Sequence, residues 1–184
     1  MSPLPRPNIR MGEARARAPH RVVLAIGSNL GDRAETLQRA ARDIADLDGF
    51  ELDAVSAFVE SAAVKPDGVD EAAPRYLNAV LLGRYAGDPH DLLDSVNGIE
   101  AEHGRVRAER WGDRTLDIDV VAVDDLQLAD DRLVVPHPRA AERDFVLVPW
   151  AEVDPDAVLP GRGRVRDLLA RIPNTVQPYR GGDE

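Results

Sequence analysis

Two carboxylates, Asp117 and Asp119, lie two residues apart in the stretch RTLDIDVVAVDD, which otherwise has the composition of a buried strand. Side chains alternate between the faces of a strand, so both acids project from one face, with Cα atoms roughly 6.5–7 Å apart. Leu116, Ile118 and Val120 project from the other face and supply the core contact. Like charges this close repel unless a cation neutralises them. Mg²⁺ binds carboxylates together with waters and phosphates, so the pair predicts a magnesium site.

The alternative is a sheet whose second face is exposed to solvent, because alternating polar residues are normal in antiparallel sheets. The segment before the acids favours the metal site. It contains Trp111 and the arginines Arg105, Arg107, Arg110 and Arg114. Arginine makes bidentate contacts with phosphate oxygens, and an aromatic residue among arginines suggests a loop that stacks on a planar group. Lys65 is the only lysine, so a codon preference for arginine in a solvated turn is the alternative explanation of the cluster; it is the weaker one because the segment also contains Trp111. The combined pattern indicates an enzyme that acts on a magnesium–nucleotide complex.

Two further polar residues lie in segments that carry a weaker signal. Asn78, in the strand-like YLNAV, needs hydrogen-bond partners if it points inward, and a ligand with amide-like edges would supply them. A solvent-facing asparagine is the simpler alternative. His137 is held between two prolines in VPHP, as in many turns. The turn GSNLGD lacks the spacing and the lysine of a phosphate-binding loop, which favours a structural role.

The elements that would position these residues follow from apolar spacing and turn residues. RVVLAIGSNLGD predicts a strand entering a turn, and the apolar spacing from Leu37 to Leu47 predicts a helix that stops at Gly49. FELDAVSAFVES and RYLNAVLLGRYA predict two more strands. Asp88 to Gly104 has the capping residues of a second helix. Residues 61–74 predict a long loop, and Val165 to Ile172 a short final helix.

The order β-α-β-β-α-β, with the acid-bearing strand last, is that of the ferredoxin-like split βαβ fold. This is an α+β fold with a four-stranded antiparallel sheet core and helices packed on it, here with additional short elements. The 184 residues fit one domain with a proper core. We expect flexible tails at residues 1–20 and 176–184 and a single catalytic domain at residues 21–175.

Composition excludes several classes of protein. The formal net charge of -10 argues against broad electrostatic binding of nucleic acid or an anionic membrane. The absence of cysteine excludes disulfides and thiolate metal sites, and the 4 histidines form no zinc-binding motif. No apolar run approaches the ~18 residues of a membrane span, and the N-terminus lacks the apolar core of a secretory signal. A cytoplasmic protein is expected.

Four segments together resemble one family. AIGSNLGDR, YLNAV, GRVRAERWGDRTLDIDV and LVVPHPRAAERDFVLVP occur in the order and approximate spacing of the 6-hydroxymethyl-7,8-dihydropterin pyrophosphokinases (HPPK), from about Val22 to Leu169. The resemblance implies transfer of the β,γ-pyrophosphoryl group of ATP to the hydroxymethyl oxygen of the pterin in folate biosynthesis, with release of AMP. It implies two Mg²⁺ ions as cofactors, with ATP and the pterin as the only partners. We expect a monomer.

The same resemblance implies roles for individual residues. Asp117 and Asp119 would bind both Mg²⁺ ions and act in catalysis with Arg105 and Arg114. The implied ATP contacts are Arg107, Arg110, Arg132, His137 and Glu100. The implied pterin contacts are Asn78, Tyr76, Trp111, Phe145, Arg143, and, from the first mobile loop, Ser61 and Val64.

The chain also departs from the family pattern. The segment SAAV, Ser61 to Val64, lacks the prolines that many relatives carry in the first mobile loop, which should loosen it. Pro138 replaces an aromatic residue of some members, and Asp144 stands where glycine is common. The link RVRAERW is one residue shorter than in some relatives, so Arg107 and Arg110 could exchange roles. We expect these departures to bear on ATP affinity and loop kinetics and to leave the reaction unchanged.

Two other functions remain open at this point. A regulatory module on the same fold would bind a ligand without depending on the acid pair. A Mg²⁺-dependent nucleotide hydrolase would use water as the acceptor and would not need Tyr76, Asn78 and Phe145.

Overall fold

The computed structural model describes residues 18–65, 68–70, 72–104 and 115–181. In chain order the elements are β1 (His20–Ser28), α1 (Arg33–Ala45), β2 (Phe50–Val55), β3 (Val59–Ser61), β4 (Ala63–Lys65), β5 (Gly68–Asp70), β6 (Tyr76–Tyr85), α2 (Pro89–Glu102), β7 (Asp117–Val123), β8 (Leu128–Ala129), β9 (Val134–Val135), a 3₁₀ turn (Ala140–Glu142), α3 (Asp144–Val153), β10 (Val158–Leu159), β11 (Gly163–Arg164), α4 (Val165–Leu169) and β12 (Gln177–Pro178).

The main sheet runs in the order β12-β3-β6-β1-β7, and β2 pairs with β6 beside β3. Every pairing in it is antiparallel. The strands β2, β6, β1 and β7 therefore stand side by side in the order of the ferredoxin-like arrangement. The predicted α+β fold, an antiparallel sheet with helices packed on it, is confirmed.

Alternation along the strands divides the core into two layers. Leu24 of β1 and Ile118 of β7 face α1 and α2, where they pack with Leu37 and Leu92. Residues one position along, such as Val23, Val80 and Val121, face α3 and α4 and pack with Leu147, Trp150 and Leu168. The sheet is thus covered on both faces by helices.

Helix ends follow the capping residues of the sequence. Asp32 accepts a hydrogen bond from the backbone N–H of Glu35 at 2.9 Å and begins α1. Asp88 accepts from the N–H of His90 at 2.9 Å, with Pro89 in the first turn of α2. Gly104, with φ of 78°, follows the end of α2, as predicted.

Two segments differ from the prediction. The single strand expected in FELDAVSAFVES is broken into β2 and β3, and Ser56 bridges the break because its Oγ accepts from Val80 N and its N–H donates to Val80 O, both at 2.9 Å. The loop expected at residues 61–74 contains the hairpin of β4 and β5, with Val64 opposite Val69. Three-residue strands are too short to show a period of two in the sequence.

The chain ends are also more ordered than expected within the described residues. β1 begins at His20, inside the expected N-terminal tail, and its Nδ1 lies 2.7 Å from Asp124 Oδ2. At the other end, β12 pairs with β3, although residues 176–184 were expected to form a tail. A two-residue pairing leaves no periodic signal, so only the folded chain reveals it. Residues 1–17 and 182–184 lie outside the described part.

No helix in the described part of the chain is both long enough and apolar enough to cross a membrane.

A close contact at Gly83 tests the packing between β2 and β6. A Cβ added there would lie 2.5 Å from Phe50 Cζ and 2.7 Å from the carbonyl oxygen of Glu51. We expect Gly83→Ala to lower the free energy of unfolding by about 1–3 kcal/mol in urea titrations, because backbone must move to relieve the overlap. Gly98→Ala, on the exposed face of α2 with no atom within 4 Å of the added Cβ, is the control. It should raise stability by about 0.5–1 kcal/mol.

The stabilisation that His90 provides between α2 and the β8–β9 hairpin should depend on pH. His90 lies 2.8 Å from Asp130 and 3.0 Å from Asp88, and the hydrogen bonds to Asp130 and then Asp88 raise the pKa of His90 from 6.5. Backbone hydrogen bonds from Leu133 and Arg132, then His90, lower the pKa of Asp130 to about 2. A histidine whose pKa is raised in the folded state makes its full contribution to folding stability at pH values below its unfolded-state pKa. That contribution is lost as the pH rises through the folded-state pKa.

We therefore expect His90→Gln to cost more stability at about pH 6 than at about pH 9, measured as the difference from wild type in urea unfolding. A difference that stays constant over this pH range would show that the ionised pair contributes nothing.

Candidate active site

A cavity of about 580 Å³ opens on the face of the sheet that carries α3, next to the N-terminal end of that helix. Its floor is formed by β1, β6 and β7, one wall by β3 to β5, and the opposite wall by the start of α3 and the segment after α4. The predicted residues that line it are Ser61, Tyr76, Asn78, Asp117, Asp119, Arg143 and Phe145. The structure thus brings together the acid pair and most of the predicted pterin contacts.

The floor depends on strand register. Gly27 of β1 pairs with Asn78 on one side and with Asp117 on the other, so Asp117 and Asn78 share a face across the sheet. Ala25 likewise pairs with Asp119. A Cβ at Gly27 would lie 3.0 Å from Asn78 Oδ1, a tight contact at the bottom of the cavity. The small side chains of β1 therefore leave open space between the acids and the amide.

Asn78 and Ser61 form a buried polar pair. Asn78 Nδ2 donates to Ser61 Oγ at 2.9 Å, and both residues are buried. An amide carries two N–H donors and one carbonyl acceptor, so this bond fixes which edge faces the cavity. The inward orientation of Asn78, left open by the sequence, is settled by this contact.

Arg143 connects the acid pair to the aromatic side of the cavity. Its Nη1 donates to Asp119 Oδ2 at 3.0 Å, and its guanidinium carbon lies 5.5 Å from the centre of the Phe145 ring. The cationic guanidinium offsets part of the negative charge of the acids, and the ring provides a flat apolar surface beside it. A ligand with a planar end and an anionic end would match this arrangement.

His137 approaches Asp119 from the other side. Its backbone N–H donates to Val121 O at 2.8 Å, at the bulge where β7 shifts register against β1. The N–H of Arg139 donates to His137 Nδ1 at 3.2 Å, so in the neutral ring the proton is on Nε2. Nε2 lies 3.6 Å from Asp119 Oδ2. Burial lowers the pKa of His137, opposed by the charge of Asp119, which favours this neutral form.

The acid pair fits a magnesium ion that completes its shell with phosphates and water. Asp117 and Asp119 are partly exposed to the cavity, and their carboxylate oxygens are ligands that Mg²⁺ prefers. Within the described ranges, no cluster of three or more acidic, histidine or cysteine side chains could enclose a metal. Two carboxylates on an open surface are typical of Mg²⁺ bound with a nucleotide rather than in a closed protein cage.

Other predicted contacts lie elsewhere or outside the described residues. Glu100 is 1% exposed and accepts from the N–H of Ile118 at 2.7 Å, so its carboxylate is at the edge of β7 and does not line the cavity. Arg132 pairs with Asp94 of α2 and is also absent from the lining. Val64 lies in β4, opposite Val69, which does line the cavity. Arg105, Arg107, Arg110, Trp111 and Arg114 fall outside the described residues.

Arg33 supports the site without having been predicted. Its Nη1 donates to the carbonyl of Arg75 at 2.8 Å, and its Nη2 lies 2.8 Å from Glu60 Oε1. These partners immediately precede Tyr76 and Ser61, so Arg33 ties together the two segments that carry them. One arginine in an arginine-rich chain gives no signal by type, although it lies in the segment AIGSNLGDR that carries the family resemblance.

The C-terminal segment was also missed. Pro173 and Thr175 line the cavity, and Thr175 is bound to the buried Asp144. The two partners lie 31 residues apart, a separation at which sequence spacing predicts no contact.

A search of family models matches residues 23–155 to 7,8-dihydro-6-hydroxymethylpterin-pyrophosphokinase (HPPK). The chain belongs to the HPPK family. It is 42% identical over 152 residues to the 2-amino-4-hydroxy-6-hydroxymethyldihydropteridine pyrophosphokinase of Methylorubrum extorquens, covering 83% of this chain and 93% of the relative. It is 39% identical over 167 residues to the protein of that name from Synechocystis, covering 90% of this chain and 83% of the relative.

Solved structures support the HPPK fold. The wild-type HPPK-DHPS of Plasmodium falciparum with pterin and p-hydroxybenzoate matches with a TM-score of 0.64 at 14% identity. The match covers 87% of this chain and 46% of that one, so the chain spans less than half of that longer protein. At this identity the likeness concerns the fold alone.

The buried pair of Ser61 and Asn78 can be tested by stability. Ser61→Ala removes the acceptor of the Asn78 amide, and we expect a loss of about 1–3 kcal/mol in the free energy of unfolding, because a buried donor is left unpaired. Thr36→Ala removes an exposed hydroxyl that donates to Asp32 O. Water replaces that bond, so the control should lose about 1 kcal/mol or less. Equal losses in both variants would contradict the role assigned to Ser61.

Proposed function

We propose that this chain transfers the β,γ-pyrophosphoryl group of ATP to the hydroxymethyl oxygen of 6-hydroxymethyl-7,8-dihydropterin, releasing AMP, in folate biosynthesis. One observation carries the proposal: in a member of the HPPK family, the acid pair and the Asn78 amide face the same cavity, with Asp117 and Asn78 on either side of Gly27.

The pterin would occupy the side of the cavity formed by Asn78, Ser61, Tyr76 and Phe145. A pterin is planar and has an amide-like edge, so an oriented amide can read that edge by hydrogen bonds. The Phe145 ring offers a surface for stacking, and Arg143 beside it is held by Asp119. The cavity volume of about 580 Å³ suits a small planar substrate together with part of a nucleotide.

The triphosphate would lie at the acid pair. We propose Asp117 and Asp119 as ligands of two Mg²⁺ ions, which when bound would neutralise phosphate charge and stabilise the charge that develops in transfer. Arg143 orients the Asp119 carboxylate through its 3.0 Å hydrogen bond, and neutral His137 adds no positive charge on the other side. Arg105 and Arg114 are proposed phosphate contacts, Arg107 and Arg110 are proposed ATP contacts, and Trp111 is a proposed pterin contact.

The reaction itself needs positioning more than a covalent intermediate. The pterin hydroxymethyl oxygen attacks the β-phosphorus of ATP, the bond from that phosphorus to the α,β-bridging oxygen breaks, and AMP leaves. The proton of the hydroxyl passes to solvent water as the new P–O bond forms. The fixed floor and the Phe145 wall would hold the attacking oxygen close to the phosphorus, which accounts for much of the rate in such transfers.

We also propose a cytoplasmic monomer whose partners are its two small-molecule substrates. Light scattering after size exclusion, at several protein concentrations, would test the monomer, and a mass of twice 20.1 kDa would contradict it.

Product analysis by ³¹P NMR tests the reaction. The protein is incubated with ATP, Mg²⁺ and 6-hydroxymethyl-7,8-dihydropterin, with a control lacking the pterin. AMP and a pterin diphosphate formed together, only with pterin present, would support the proposal. Phosphate or pyrophosphate formed without pterin would indicate a nucleotide hydrolase, and binding of both ligands without turnover would indicate a regulatory module.

The acid pair provides the corresponding mutational test. We expect Asp117→Asn and Asp119→Asn each to lower kcat by at least about 100-fold, because each removes a charge that holds the metal–phosphate complex in the transition state. Far-ultraviolet circular dichroism should stay unchanged, since both side chains face the cavity rather than the core. Asp125→Asn, an exposed acid just beyond the same strand, is the control and should keep wild-type turnover. Near-normal activity in both site variants would contradict the metal role.

A further inference from the structure

The segment from Pro173 to Tyr179, here named the C-terminal strap, runs from the end of α4 across the side of the cavity to β3. Pro173 and Thr175 belong to the cavity lining, together with Phe145 and Ser61. The strap lies after the region matched by the family model, which ends at residue 155. It therefore adds a wall to the cavity from a part of the chain beyond the family match.

One end of the strap is held by a buried carboxylate. Asp144 is 8% exposed, and its Oδ2 accepts both the backbone N–H and the hydroxyl of Thr175, the latter at 2.7 Å. Its Oδ1 accepts the N–H of Phe145 at 2.8 Å. A single side chain thus joins the strap to the first turn of α3, directly beside the aromatic ring of the cavity.

The other end of the strap pairs with β3. Gln177 lies opposite Glu60 and Pro178 opposite Val59 in an antiparallel pairing, and the N–H of Tyr179 donates to Phe58 O at 3.0 Å. The rings of Phe58 and Tyr179 are in contact, with centres 6.3 Å apart. Ser61, which fixes the Asn78 amide, is the last residue of β3. The strap therefore spans from the Phe145 side of the cavity to the Ser61 side.

We infer that the C-terminal strap is a wall of the pterin subsite and that Asp144 is the positioning residue that holds it there. This inference rests on the proposed function. By this inference, Asp144 and Thr175 contribute to pterin binding, and they contribute neither to ATP binding nor to the chemical step. The strap contacts the aromatic and amide side of the cavity, whereas the acid pair lies on the floor of β7.

The chemistry of Asp144 explains why a carboxylate is needed. Three donors converge on it: the N–H of Phe145 on one oxygen, and the N–H and hydroxyl of Thr175 on the other. An amide has only one acceptor oxygen, so asparagine at this position would face at least one of these donors with its own N–H groups. The strap, whose residues Pro173 and Thr175 are exposed, would have to move away.

The effect of losing this contact should be local. Pro173, Thr175, Gln177 and Pro178 are exposed, and the strap packs against the core through the half-buried Tyr179 at its far end. Segments with few buried contacts open without global unfolding. Release of Pro173 to Thr175 from Asp144 would therefore remove a wall of the subsite, while β12 stays paired with β3 and the acid pair stays in place.

The test compares Asp144→Asn and Thr175→Val with wild type in steady-state kinetics, varying pterin and ATP separately. We expect Asp144→Asn to raise the KM for the pterin about tenfold, the effect of an unpaired buried donor. Thr175→Val loses only the hydroxyl contact and should raise it less. Thr175→Ser restores the hydroxyl and should return the pterin KM to the wild-type value. The KM for ATP and kcat should change by less than about threefold in all variants.

Asp167→Asn, an exposed acid on α4 ahead of the strap, is the matched control and should equal wild type in every constant. Active wild type with an unchanged pterin KM in Asp144→Asn and Thr175→Val would overturn the inference and leave the proposed function intact. An equal rise in both KM values, accompanied by a lower melting temperature, would also overturn it, because the role would then be structural.

A wild type that forms no AMP would contradict the proposed function instead. The role of the strap is then tested by pterin binding. The intrinsic fluorescence of the pterin is titrated with each protein to give its dissociation constant. Weaker pterin binding by Asp144→Asn and Thr175→Val, together with wild-type binding by Thr175→Ser, would support the strap as a wall of the subsite. Equal dissociation constants would overturn it.

Discussion

The register of β1 against its two neighbours is the constraint on which the site depends. Leu24 and Ile26 of β1, with Ile118 and Val120 of β7, are buried against α1 and α2. Each such side chain contributes about 1.5–3 kcal/mol on burial. A slip of β7 by one residue would turn these side chains towards the cavity and place both acids in the core. Burying an unpaired charge costs several kcal/mol, so the slipped register is strongly disfavoured. The packing of the apolar face therefore keeps both acids on the cavity side of the sheet.

The other face of the sheet changes character along the strands. Val23, Val80 and Val121 lie under α3 and are buried with its apolar residues. Further along the same strands come Gly27, Asn78 and Asp119, which α3 does not cover. The site thus lies where one helix begins, and the residues at that helix end, from Arg143 to Phe145, become its wall. A continuous sheet supplies rigidity to the floor, and the helix end supplies a charged group and a ring.

The sequence predicted the parts of this arrangement that depend on local pattern. Alternation identified the shared face of Asp117 and Asp119, and capping residues identified α2 from Asp88 to Gly104. The sequence could not predict contacts that single side chains make with residues far away along the chain. Arg33 reaches Arg75 and Glu60, and Asp144 reaches Thr175, because strands and helices bring them together. The resemblance assigned Glu100 and Arg132 to ATP, whereas the cavity lining does not include them; their positions depend on how α2 packs beside β7.

The position of Glu100 has a consequence for self-association. Among the residues that the structure describes, β7 is the last strand on its side of the main sheet, and an unpaired strand edge can pair with another chain. Glu100 takes the N–H of Ile118 on that edge, and His137 donates its own N–H to the carbonyl of Val121 further along. One side chain and one loop thus occupy two of the backbone groups that a foreign strand would use, the N–H of Ile118 and the carbonyl of Val121. Occupied edge groups of this kind disfavour strand pairing between chains, while the Asp117 and Asp119 side chains still face the cavity.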